Sequence, residues 1–151
     1  MRFFTFYIGE TIMTAKNNPL MDKSKAFAIQ IVELSRYLSS EKKDFTLSRQ
    51  ILRSGTSIGA NLAESEGAQS LADFISKQTI ALKEAYETRY WLELLLEARM
   101  IHQPWHDQAQ KMLSEIIAML NASIMTAKRN LATSTAPIQN KNPPDQSNNA
   151  K

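Results

Sequence analysis

The chain has no cysteine, which removes disulfides, thiolate metal sites and thiol nucleophiles together and fits a reducing, cytoplasmic setting. It has no apolar run near the roughly 20 residues of a membrane span, so no membrane partner is expected. The apolar start from Met1 to Ile8 meets Gly9 and Glu10 and carries no small-x-small cleavage site, so it does not read as a secretory signal. Met13 or Met21 is an alternative start, leaving the first segment as an extension. Charge of one sign is also scarce. The net charge is +3, and between Met21 and Leu131 there are 14 basic and 13 acidic residues. Nucleic-acid binding would therefore rest on local patches, not on bulk charge.

The chain does have long stretches of helical periodicity, with only 4 glycines and 5 prolines in 151 residues. The first predicted helix runs from about Asp22 to Leu38, with Phe27, Ile31, Leu34 and Leu38 on one face. A polar loop, Ser39 to Asp44, follows, and Asp44 or Thr46 can cap the second helix, which ends near Glu66 and Gly67. Ser70 with Asp73 reads as a capping-box variant opening a third helix that reaches about Arg99. Its seam is Leu71, Phe74, Gln78, Ala81, Ala85, Thr88, Leu92 and Leu95. Pro104 suits the first turn of a fourth helix, whose stripe is Ala109, Leu113, Ile116, Leu120, Ala127 and Leu131. The pentapeptide Ile-Met-Thr-Ala-Lys recurs at 12–16 and 124–128, too short a coincidence to define a repeat.

Four helices joined by short loops predict an all-α, antiparallel up-down four-helix bundle over residues 21–131. Residues 1–20 are expected to form a flexible extension, and 132–151, rich in Ser, Thr, Pro, Asn and Gln, a disordered polar tail. Ile29, Val32, Ile75, Leu82, Tyr86, Met112 and Met119 lie off the main seams. That surplus of apolar surface predicts self-association.

The segment Ser54 to Glu64 stands out because small and polar residues occupy a stretch where a bulky face is expected. Ser54, Ser57, Asn61 and Glu64 make one polar line, beside an apolar line of Leu47, Ile51, Gly55, Ile58 and Leu62. Gly55 and Gly59 each cost roughly 1 kcal/mol against Ala inside a helix, so a close neighbouring helix is expected, with Ala81 and Ala85 opposite them. Asn61 and Glu64 are read as holding the packing, since polar groups next to a buried seam need partners inside the bundle.

No catalytic constellation accompanies this scaffold, and no enzyme, cofactor or metal is expected. Glu64, Glu84 and Glu87 could face inward as in di-iron bundles, but neither His102 nor His106 follows a glutamate at Glu-x-x-His spacing. A surface pair between Lys83 and Glu87 accounts for these carboxylates better. His102 and His106, separated by Pro104, read as a solvent-facing pair. No serine lies in a nucleophile elbow or a P-loop. Tyr86, Tyr90 and Trp91 favour core or interface packing over base stacking. The basic residues Lys42, Lys43, Arg49 and Arg53, with Lys128 and Arg129 closing the last helix, are candidate phosphate contacts.

The stretch from Leu47 through Gly55, Ser57, Gly59, Asn61 and Glu64, continued by Ser70 to Ile75 and Ile80 to Leu92, resembles the family of the 23S ribosomal RNA intervening sequence protein, also called S23-like. The resemblance implies a four-helix bundle assembling into a homopentameric ring, with no established enzymatic activity. More distantly, that family resembles the accessory variability determinant of diversity-generating retroelements, a basic pentamer that engages nucleic acid. Arg49 and Arg53 match the basic positions, and Asn61 and Glu64 the polar signature. Ser65 and Glu66 depart from the small, often basic continuation expected there, and the near-neutral core is less basic than the retroelement protein. The implied function is binding of structured RNA or a ribonucleoprotein by an oligomer. The alternative is a protein-interaction scaffold in which charge is incidental.

Overall fold

A computed structural model describes residues 18–135, which form four helices and no strand: α1 (Pro19–Ser40), α2 (Phe45–Glu66), α3 (Leu71–Glu97) and α4 (Gln103–Thr135). Each begins where the chemistry of its first turn demands. The Asn18 carboxamide oxygen accepts from Met21 N at 3.2 Å, so α1 starts at Pro19, one turn before the predicted Asp22. Asp44, not Thr46, caps α2 by accepting from Leu47 N at 2.8 Å. Ser70 Oγ accepts from Asp73 N at 3.1 Å, while the Asp73 carboxylate reaches back to Gln69 N at 3.2 Å, completing the predicted box one residue upstream of the cap. Pro104 lies in the first turn of α4, as expected.

The helix ends hold two surprises. Gly67 caps α2 at φ −94°, so this position does not draw on the left-handed range that favours glycine. The two other turns do enter that range, through Lys43 (φ 55°) and Arg99 (φ 57°). Arg99 N donates to Leu96 O and Met100 N to Leu95 O, both at 2.9 Å, which is a Schellman closure with arginine where glycine is usual. The helices also exceed the predicted bundle limits, taking in Pro19, Leu20 and residues 132–135, and Leu20 is buried. The rest of the expected extension and tail lies outside the described residues.

α1 touches α2 and α4, and α3 touches α2 and α4, closing a four-helix arrangement whose diagonals do not meet. The α1–α4 seam is the most sparingly packed. Across α1 and α2, Asn18 meets Glu66, Ile31 faces Gly55, and Ser35 meets Ser48. Across α2 and α3, Arg53 meets Glu84 and Glu87, Ser54 meets Thr88, and Glu64 meets Lys77.

The core contains the predicted Phe27, Ile31, Leu34, Leu38, Ile51, Ile58, Leu62, Leu92, Leu95, Leu113, Ile116 and Leu120. Full burial of each large aliphatic side chain contributes roughly 1.5–3 kcal/mol. Leu71, Phe74 and Leu131 are only half-buried, whereas Ile101, Ile117 and Ile124, off the predicted stripes, are buried. A polar thread also runs inside. Ser48 Oγ donates to Ser35 O at 2.8 Å, with the two hydroxyls 2.9 Å apart, and Ser24, Ser54 and Thr88 are fully enclosed.

Gly55 is where close approach is decisive. A Cβ there would meet Ile31 Cγ1 and Cγ2 at 2.8 Å, well inside van der Waals contact. The nearest neighbour of a Cβ at Gly59 is Ser24 Cβ, at 3.9 Å. Both glycines therefore face α1, not Ala81 and Ala85 of α3 as the small-residue matching predicts. Those alanines are fully buried nonetheless.

Candidate nucleic-acid interface

The candidate basic residues separate into two electrostatic classes. Arg53, 53% exposed, is held by carboxylates from α3: Glu84 at 3.4 Å and Glu87 in closer contact. Burial pushes the Glu87 carboxyl upward. Hydrogen bonds from Trp91 (Nε1, 3.1 Å) and Arg53, with the charge of Arg53, outweigh that and hold it below the ordinary glutamate range. Glu87 thus pairs across helices, in place of the expected Lys83 partner on its own helix. Lys42, Lys43 and Arg49 differ: all three are exposed, and none is in an ion pair among the described residues. Lys42 and Lys43 lie in the α1–α2 turn, and Arg49 follows about one helical turn into α2.

Two of the polar signature residues bond locally. Ser57 donates to Arg53 O at 2.7 Å, and Asn61 donates to Ser57 O at 2.9 Å, so these polar groups bond back to their own helix. Glu64 is exposed and paired with Lys77, a link between α2 and α3 at the surface. Ser54 leaves this polar line and is buried against Thr88.

Glu84 and Glu87 share one cation, Arg53, while Glu64 pairs separately with Lys77, so the three carboxylates do not meet at one point. Among the described residues no three His, Asp or Glu side chains form a metal-holding group. His106 is not solvent-facing as predicted: its ring is 12% exposed and its Nδ1 lies 3.1 Å from Asp107 Oδ1. Tyr86 and Tyr90 are 48% and 56% exposed, outside the core of this chain, while Trp91 packs against that core.

A cavity of about 390 Å³ opens between α1 and the start of α4, lined by Glu33, Leu34, Tyr37, Ile101, His102 and Trp105. Lys42 Nζ stands 5.8 Å from the centre of the Tyr37 ring. The two aromatic residues of the lining, Tyr37 and Trp105, are far apart in sequence, so no local motif signals them. Lys128 and Arg129 sit about 36 Å further along α4 than Trp105, on the rise of an α-helix, and do not join this group.

The fold is all-α with four helices, and it leaves Lys42, Lys43 and Arg49 exposed near the α1–α2 turn. The family described as 23S rRNA-intervening sequence protein matches residues 16–122, and the chain belongs to that family. It is similar to the crystal structure of a protein of unknown function from the S23 ribosomal protein family of Bacteroides thetaiotaomicron. The two share 51% identity and a TM-score of 0.70, over 72% of this chain and 96% of the other. No curated protein matches. Among the described residues, no helix is long and apolar enough to cross a membrane.

Proposed function

We propose that this protein is a non-enzymatic, antiparallel four-helix bundle that assembles into a homopentameric ring and binds structured RNA or a ribonucleoprotein. The antiparallel order is supported by the helix pairings, in which positions rise along one helix as they fall along its neighbour. Self-association is supported by apolar side chains left outward, Ile29 at 55% and Phe45 at 60% exposure. RNA binding is carried by one observation: Lys42, Lys43 and Arg49 cluster near one turn with no carboxylate engaging them among the described residues. Such cations release condensed counterions when they meet phosphates, and a ring repeats the patch in every subunit. Arg53 is a weaker contact than its exposure suggests, since Glu84 and Glu87 already neutralise it.

The test is fluorescence anisotropy with structured RNA at about 50 and about 200 mM salt, where phosphate contacts lose affinity steeply. Binding with a steep salt slope, lost in a Lys42→Ala, Lys43→Ala, Arg49→Ala variant that still assembles, is the expected result. No binding at the lower salt overturns the reading. The exposed Tyr86 and Tyr90 then favour the second reading, a protein-interaction scaffold.

A further inference from the structure

We infer that the cleft between α1 and the start of α4 receives one unpaired base of a single-stranded RNA region, stacked against Tyr37 and Trp105, while Lys42 and Lys43 hold the neighbouring phosphate. The inference rests on the RNA reading above and adds to it a recognition element that phosphate contacts alone do not supply.

Size and lining come first. At about 390 Å³ the cavity falls within the usual range of small-ligand sites, roughly 300–1,000 Å³. Its lining includes two aromatic rings with the buried aliphatic side chains of Leu34 and Ile101, the kind of surface that the flat faces of a nucleobase prefer. Tyr37 and Trp105 are both half-buried and packed against the core, so their rings are held in place before any ligand arrives. Little ordering cost is then left for binding.

The polar groups sort the ligand by charge. Glu33, His102 and the Tyr37 hydroxyl are the polar groups of the lining, and Glu33 is its carboxylate. A carboxylate repels a phosphate, which keeps the nucleic-acid backbone out of the cleft, but it accepts hydrogen bonds from the amino group of a base edge. Lys42 is outside the lining, but its ammonium stands over the ring of Tyr37, which lines the cleft, 5.8 Å from the ring centre. Lys43 follows it at φ 55° in the same turn. Base inside and phosphate outside is thus the charge-complementary arrangement. A paired duplex cannot enter without unstacking, so single-stranded loops and bulges are the matching form of RNA. Bases with an exocyclic amino group should bind better than uracil, which offers Glu33 only its ring N–H.

The experiment compares a short oligoadenylate, an oligouridylate and an RNA duplex by anisotropy, alongside the indole N–H resonances of the two tryptophans in the full-length chain. The Trp105 signal, assigned with Trp105→Phe, is expected to move on titration with oligoadenylate while Trp91 stays in place. Trp105→Ala should weaken oligoadenylate binding roughly 5- to 150-fold without changing its salt slope, as loss of one stacking contact predicts, and Trp105→Phe should retain most of the affinity. Tight oligoadenylate binding with a steep salt slope, an unmoved Trp105 signal and wild-type affinity in Trp105→Ala would overturn the cleft while leaving the phosphate reading intact. Failure of the wild-type protein to bind any of the three RNAs at about 50 mM salt removes both. If Trp105→Ala does not fold, the wild-type resonance decides.

Discussion

The hydroxyls of Ser54 and Thr88 lie 3.0 Å apart between α2 and α3, both on fully buried side chains. Thr88 Oγ1 is also 2.7 Å from Glu84 O, and its single proton serves one of the two acceptors at a time. Ser54 has one other partner, Ile51 O, at a long 3.4 Å. Thr88→Val, nearly isosteric, therefore leaves the buried Ser54 hydroxyl only its long contact to Ile51 O, and we expect a loss of about 1–3 kcal/mol. Combining it with Ser54→Ala removes both polar groups, so the double variant should be more stable than the sum of the single losses predicts. Urea unfolding of all four proteins measures the coupling, and strict additivity would mean the two hydroxyls do not depend on each other.

Gly55 and Gly59 should respond to alanine with opposite signs. At Gly55 the added methyl meets Ile31 at 2.8 Å, and overpacking of that kind costs about 1–3 kcal/mol, more than the gain in helix propensity returns. At Gly59 the nearest atom is 3.9 Å away, so Gly59→Ala should stabilise by roughly 0.5–1 kcal/mol. Thermal melts of the two variants check the contrast. A stabilised Gly55→Ala would show that α1 yields easily at Ile31.

Glu87 makes stability depend on acid. Its carboxyl is held below the ordinary value of 4.5 in the folded chain, despite the opposing effect of burial, because Trp91 and Arg53 bond its charged form. A depressed folded value means that the unfolded chain takes up the proton first as pH falls. The stabilisation is complete above about 4.5 and is lost as pH drops through the lower folded value. Glu87→Gln should lower stability at neutral pH and flatten the acid limb of a plot of unfolding midpoint against pH. An unchanged limb would assign the acid sensitivity to other carboxylates, such as Glu115 beside Lys23.

Lys43 allows charge and backbone strain to be separated. Its φ of 55° is left-handed, a conformation that costs a side-chain-bearing residue about 1–2 kcal/mol and glycine almost nothing. Lys43→Gly should therefore raise the melting temperature or leave it unchanged, while removing one phosphate contact. On the RNA reading, the slope of log affinity against log salt should fall by just under one. A variant that loses stability would show that the lysine side chain itself holds the α1–α2 turn.

The helices and most of the core were legible in the sequence because they follow local rules. Apolar spacing placed Phe27, Ile31, Leu38, Leu92 and Leu113 inside, whereas Asn61, expected to hold the packing, donates back to Ser57 O of its own helix. Family membership was equally legible, carried by the residues around Gly55 and Asn61. What periodicity could not supply was the identity of the partner on the neighbouring helix. It set the glycines of α2 against Ala81 and Ala85, yet Gly55 meets Ile31 of α1. It also offered Arg53 as a candidate phosphate contact with no sign that Glu84 and Glu87 of α3 engage it. The Tyr37 and Trp105 cleft was invisible for the same reason. Spacing along one helix determines which residues share a face, because backbone geometry is local. Which side chains meet across two faces depends on how the helices are arranged and staggered, and only tertiary packing decides that.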